Sequence, residues 1–323
     1  MTRLLLAVAF AILQGAGSAV AQVYPSRQIT IVVPAVAGGS TDAIARVVAL
    51  RLQAALGPPV VVENVAGAGG AIGTARVARA APDGYTLGVG NWNSRVSAGV
   101  VYPAQYDALR DFEPIALLTN APIWIVARHA LPATSVNELI AWLKANPGKA
   151  TAGFVGAGTA SHLCGIHFQN TTGTRFQFAP YRSGAPAYSD LVAGHIDLMC
   201  AESSATMPHV RSGKLKAYAV LAKARWFGAP DVPSVDEVGL PGLYMSFWQG
   251  LWAPGGTPKD VIARINSVVI DTFSDPAVRQ RLTDQGLEIP PRELQTPEGF
   301  GAFHRAEIER WWPIIKAANI KPD

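Results

Sequence analysis

The sequence is short of charge. Only 15% of its 323 residues are Asp, Glu, Lys or Arg, against roughly 25% in an average soluble protein. The net charge is a modest +4. No basic tract occurs, and no aromatic residues interleave with basic ones, which argues against a nucleic-acid surface. Cysteine is scarce, with Cys164 and Cys200 alone. Beyond the first two dozen residues, no apolar run is long enough to span a bilayer. Two phosphate-binding signatures are missing as well. There is no G-x-x-x-x-G-K-[ST], and "GAGGAIG" (67–73) has Ile72 where a dinucleotide fingerprint needs its third glycine. "GAGTAS" (156–161) ends wrongly too. No nucleotide cofactor is expected.

Catalytic constellations are equally thin. No G-x-S-x-G elbow is present, and no paired acids sit in matched loops as in a glycosidase. His129, His162, His195 and His209 each read as capping or surface residues. A hydrolase using Ser161 beside His162 stays as a lesser alternative. The stretch "SHLCGIH" offers His162, Cys164 and His167 as metal ligands, but such spacing shares no helix face and no second ligand cluster follows. No metal is expected, and the chain reads as a binding protein rather than an enzyme.

What is present begins at the start of the chain. "MTRLLLAVAFAILQGAGSAVAQ" places Arg3 before an apolar stretch and Ala19-Val20-Ala21 before Gln22. This is the pattern of a secretory signal peptide, 1–21, so the mature protein is expected to be exported to the periplasm. There, two cysteines permit one disulfide, though spacing alone does not show that they meet.

The remaining length suits about two domains, and 49% hydrophobic residues supply a core. Strand and helix patterns alternate. "QITIVV" reads as a strand, and Thr41–Leu56 as a helix with apolar Ile44, Val47, Val48 and Leu52 at helical spacing. Gly57-Pro58-Pro59 stops that helix. "VVVEN", a glycine loop opening a helix, and "YTLGVG" follow. Such order implies an α/β fold in which ligands sit beyond the carboxyl ends of the strands, here at loops 34–42, 65–73 and 90–97. A second set of units starts near Ile123. "APIWIVAR" is a strand, and "SVNELIAWLKANPG" is a helix capped by Ser135. "ATAGFVGAGTASHL" then repeats the strand, Gly-rich loop, helix order. Further helices are expected near 258–273 and 297–318. Free N–H groups in a helix's first turn, approached through glycines, suit an anion.

Longer stretches carry a resemblance: "YPSRQITIVVPAVAGGSTDAIARVVALRLQAALGPPVVVENVAGAGGAIGTARVARAAPDGYTL", "DFEPIALL", "SVNELIAWLKANPGKATAGFVGAGTASHL", "PYRSGAPAYSDLVAGHIDLM" and "GLWAPGGTP". Together they span nearly the whole mature chain, which resembles the Bug-type extracytoplasmic solute receptors of tripartite tricarboxylate transporters. The resemblance implies a type II-like periplasmic-binding-protein fold. Its two α/β lobes, with parallel or mixed sheets covered by helices on both faces, are joined by two crossing strands. Lobe one would comprise 22–122 plus 235–323, and lobe two 123–234. It implies a small organic carboxylate as ligand, delivery to membrane permease subunits, no catalysis and a monomeric protein.

Carried over residue by residue, Gly38, Gly39, Ser40, Thr41 and Asp42 form the first ligand loop, and Ala68 and Gly69 the second. Thr159, Ser161 and His162 form the loop of lobe two. Tyr181 and Arg182 match a Tyr-Lys/Arg pair at the cleft. Ala37 departs from the proline often found before the first Gly-Gly, and "GNWNSRVSAGV" departs from the usual small, polar loop. Asn91, Arg95 and Glu202 are further candidates. Arg95 could clamp a second carboxylate, Trp92 could stack on a flat ligand, and Glu202 would favour a ligand bearing an amine. Cys164 and Cys200 are expected to join within lobe two. A sensory binding protein would share the fold and the site.

Overall fold

The computed structural model describes residues 24–103 and 106–322; the expected signal peptide lies outside them. In chain order the strands are β1 (Ile29–Val33), β2 (Val60–Asn64), β3 (Thr86–Asn91), β4 (Phe112–Arg128), β5 (Thr151–Phe154), β6 (Gln177–Pro180), β7 (Leu198–Glu202), β8 (Leu215–Val220) and β9 (Ser246–Pro254). The helices are α1 (Ser40–Leu56), α2 (Ala71–Ala78), α3 (Ala98–Val101), α4 (Val136–Ala145), α5 (Ala160–Thr172), α6 (Gly184–Ala193), α7 (Ser203–Arg211), α8 (Lys259–Ser274), α9 (Pro276–Asp284) and α10 (Pro297–Ala317).

The strands follow the order β2-β1-β3-β9-β4-β7-β5-β6, with β8 also on β4. β1 pairs in parallel with β2 and β3, and β5 in parallel with β6 and β7. Where the chain returns, pairing is antiparallel, as in β9 against β3 and β4, and β7 and β8 against β4. This is the mixed α/β, two-lobed fold of periplasmic binding proteins. β4 is the spine. Residues 112–122 pair with β9, and residues 123–128 pair with β7 and β8. The second crossing lies beside it, where the Ile123 N–H donates to the Met245 carbonyl just ahead of β9.

Local chemistry accounts for the elements. Ile44, Val48 and Leu52 turn one face of α1 onto Ile31, Val33 and Leu87, and Gly57 ends the helix at φ 98°. Ser135 caps α4 by accepting the Glu138 N–H at 3.2 Å. The opposite face of the first sheet is aromatic, with Trp248, Trp252, Phe300 and Trp311 buried together. In the second half, Cys164 on α5 and Cys200 on β7 form a disulfide within the core of Leu163, Phe168 and Ile125.

Two predictions come from this core. The disulfide closes a sequence separation of 36 residues, so its reduction is expected to lower the unfolding free energy by about 4 kcal/mol by loop entropy. Urea titrations with and without reductant measure this, and superimposable curves would contradict it. His304 is buried, with Nε2 3.0 Å from the Arg95 carbonyl. Burial and the Arg95 charge push its pKa down from 6.5 to about 3, so the unfolded chain binds the extra proton. Stability is therefore expected to fall as pH drops from about 6.5 towards 3, by up to about 1.4 kcal/mol per unit. His304→Gln should flatten the slope of melting midpoint against pH in that window.

Candidate functional site

Four loops meet where the halves of the sheet join. The first leaves β1, runs through Pro34 to Gly39 and opens α1. Gly39 supplies no side-chain cap, so the first-turn N–H groups of α1 depend on other partners or a ligand. Asp42 turns back to accept the Gly38 N–H at 2.9 Å and Arg46 Nε at 3.0 Å. Burial raises the Asp42 pKa, but these hydrogen bonds outweigh it and hold the carboxyl below its ordinary range. Thr41 Oγ1 accepts from Asn91 Nδ2 at 2.9 Å. Asn91 in turn accepts the Ser94 N–H at 3.1 Å, which ties the first loop to the third, 91–97.

Ser40 reaches across to the other half. Its Oγ donates to Glu202 Oε2 at 3.0 Å and accepts from Gln249 Nε2 at 3.1 Å. Glu202 ends β7 and opens α7, and its other oxygen accepts from Ser204 Oγ at 2.8 Å. Burial pushes the Glu202 pKa up, while the bonds from Ser204 and Ser40 pull it back only in part. No cationic side chain among the described residues pairs with it.

A second link joins the halves. The Ala160 N–H, in the first turn of α5, donates to Asn93 Oδ1 at 2.9 Å. Beside it, Gly158 is at φ 72°, and a Cβ there would lie 2.3 Å from Val101. Only glycine allows the two halves to approach this closely at that point. Thr159 Oγ1 donates to the Gly156 carbonyl at 2.9 Å, and Ser161 Oγ accepts the Val155 N–H at 3.0 Å. His162 Nδ1 accepts the Gly158 N–H at 3.1 Å, and its ring stacks on Phe154. The second loop turns left-handed through Gly67, Ala68, Gly69 and Gly70, with Ala68 at φ 48°, and rests on the third through Gly70 and Ser94.

The structure thus joins Ser40 to Glu202 and Thr41 to Asn91, and links loop 156–162 to them through Asn93. Other candidates lie elsewhere. Trp92 is wholly buried, edge-on to Trp311, with Nε1 donating to Glu307. It is core, because the turn at 93–97 directs it under α10, so the stacking role expected of it does not fit. Arg95 is buried, sandwiched between Phe112 and Trp252, so the clamping of a second carboxylate expected of it does not fit. The Tyr181 hydroxyl donates to Asp190 at 2.7 Å; burial, with Asp190 beside it, pushes its pKa up to about 12. Arg182 is exposed. Gln249, Asn93 and Ser204 were not singled out from sequence. Gln249 is the one polar side chain within the apolar "FWQGLWAP" (247–254), a signal that could have flagged it.

A family model described as "Tripartite tricarboxylate transporter family receptor" matches residues 44–320. The chain belongs to that family. BugT of Bordetella pertussis is 35% identical over 325 residues, covering 99% of each chain. The structure of the periplasmic binding protein BugD superposes with a TM-score of 0.84 at 37% identity, covering 93% of this chain and all of that one. MatC from Rhodopseudomonas palustris, solved with malate bound, gives 0.83 at 35% identity, covering 90% and 100%. The family model describes a receptor, and BugD is a periplasmic binding protein. No helix among the described residues is long and apolar enough to cross a membrane.

Because Asn93 holds the Ala160 N–H from the opposite half, Asn93→Ala is expected to cost about 1 kcal/mol and to expose the first turn of α5. Hydrogen exchange at the Ala160 and Ser161 amides should speed up while α4 exchanges unchanged. Unaltered exchange at 160–161 would mean that the link carries no closure energy.

Proposed function

We propose that this chain is a periplasmic receptor, exported by residues 1–21, that captures a small organic carboxylate between its lobes and delivers it to permease subunits of a tripartite tricarboxylate transporter. It acts as a monomer without a cofactor, lobe one being 22–122 plus 235–323 and lobe two 123–234. Gly38 to Asp42 grips one carboxylate, Thr159 to His162 grips a distal one, and Ala68 and Gly69 close the side.

One observation carries this reading. The first turns of α1, α5 and α7 converge where Ser40 meets Glu202 and Asn93 meets Ala160. Helix N-termini favour anions by about 0.3–1 kcal/mol each, and by more when partly buried. A ligand bridging both lobes favours the closed form by its differential affinity for it. MatC was solved with malate bound, which supports a carboxylate ligand of about that size for this chain.

Glu202 narrows the ligand. Its carboxylate has only neutral hydroxyl partners in a site that already holds Asp42. A dicarboxylate bearing an ammonium group would neutralise it, whereas a plain dicarboxylate would be repelled.

A thermal-shift screen of C4 and C5 dicarboxylates with and without an amino group tests both parts. At 100-fold excess over the dissociation constant, a ligand should stabilise by about 2.7 kcal/mol. Ser40→Ala should weaken every ligand. Glu202→Gln should weaken amino-dicarboxylates about tenfold and strengthen plain ones. A folded, ligand-stripped protein that shifts with no carboxylate would overturn the receptor reading. A shift that Glu202→Gln leaves unchanged for both classes would overturn the role of Glu202 alone.

A further inference from the structure

Behind the ligand loops, the first lobe buries a positive charge with no acid beside it. Arg95 is 4% exposed. Its guanidinium lies 3.7 Å from the Phe112 ring centroid and 4.1 Å from that of Trp252. Its Nε and Nη2 are buried and have no hydrogen-bond partner. No ion pair among the described residues includes it. The ring faces on either side soften the charge but accept none of its in-plane hydrogen bonds.

The Tyr106 hydroxyl is buried in the same region, with Thr74 as its neighbour and the Arg95 charge acting on it. A small cavity opens beside the guanidinium, lined by Arg95, Trp252, Thr74, Val77, Gly88, Gly90 and Pro34. Its volume is about 10 Å³, enough for a single water-sized particle.

These facts set the chemistry of an occupant. The unmatched Arg95 nitrogens can only donate, so an acceptor is missing. A buried charge needs a counter-charge as well as hydrogen bonds. Water would accept at most two bonds and would leave the charge uncompensated. Carboxylate, phosphate and sulfate are too large for the cavity. We propose that this cavity is a structural site for a monatomic anion of the chloride class, held by Arg95 Nε and Nη2. Because Pro34 begins the first ligand loop and Gly90 precedes the third, the ion would brace both loops from behind.

The test uses the purified protein in gluconate, chloride, bromide or sulfate at equal ionic strength, with no carboxylate ligand added. The melting midpoint is expected to rise with chloride and bromide but not with sulfate. Above the dissociation constant, each tenfold step in halide should add a constant increment, equal to tenfold in the folding equilibrium. A crystal grown in bromide should give an anomalous peak within hydrogen-bond distance of Arg95 Nε and Nη2. Arg95→Met should abolish the halide dependence while folding in gluconate. Should that variant fail to fold, Arg95→Lys, which keeps the charge but loses the paired Nε and Nη2 donors, should reduce the dependence instead. Equal midpoints in gluconate and chloride, together with no anomalous peak beside Arg95, would overturn the site.

Discussion

The first-turn N–H groups of an α-helix have no partner within their own helix, and this molecule brings three such helix starts, α1, α5 and α7, to one junction. One of these donors is met from across the junction, where Asn93 accepts the Ala160 N–H at the start of α5. Beside it, Glu202 takes the Ser40 hydroxyl that opens α1. The proposed carboxylate would use the helix-start donors that remain. The sheet makes this geometry available. β1 and β5 lead parallel strands towards the junction, and β4 passes through both halves, so their loops stay in register with each other.

Charge is placed with economy in a chain that has little of it. Asp42 is paired with Arg46 and the Gly38 N–H, so it shapes the first loop. Glu202 is different. Its partners are hydroxyls, and burial raises its pKa, so a cationic group beside it would favour its charged form. Arg95, which looked from its loop position like a carboxylate clamp, spends its charge inside the aromatic layer between Phe112 and Trp252.

The α/β alternation, the face of α1 and the Ser135 cap were legible because they are local patterns. The full length of β4 was not. It opens on Phe112-Glu113-Pro114, and its register shifts between Pro114 and Ala116 and again between Leu117 and Thr119, which erases a clean period of two. β9 was obscured by Gly250 in its middle. That glycine makes room for Phe300, since a Cβ would sit 2.1 Å from the ring, and nothing within the strand announces a helix packed on it. α9 was missed because "PAVRQRLTD" buries only Val278 and Leu282. The first and lobe-two loops of the site could be read because glycines and hydroxyls at a strand-to-helix junction carry their own chemistry. Gln249 and Asn93 could not, since their roles depend on partners 209 and 67 residues away.

The most direct test of the account is a two-dimensional amide NMR titration of the labelled protein with the dicarboxylate that stabilises it best. The account predicts that amides of Gly38–Asp42 and of Gly158–His162 shift together, at one common midpoint, while those of α4 and α8 stay in place. Shifts confined to one lobe, or to residues away from both loops, would contradict a carboxylate held jointly by the two.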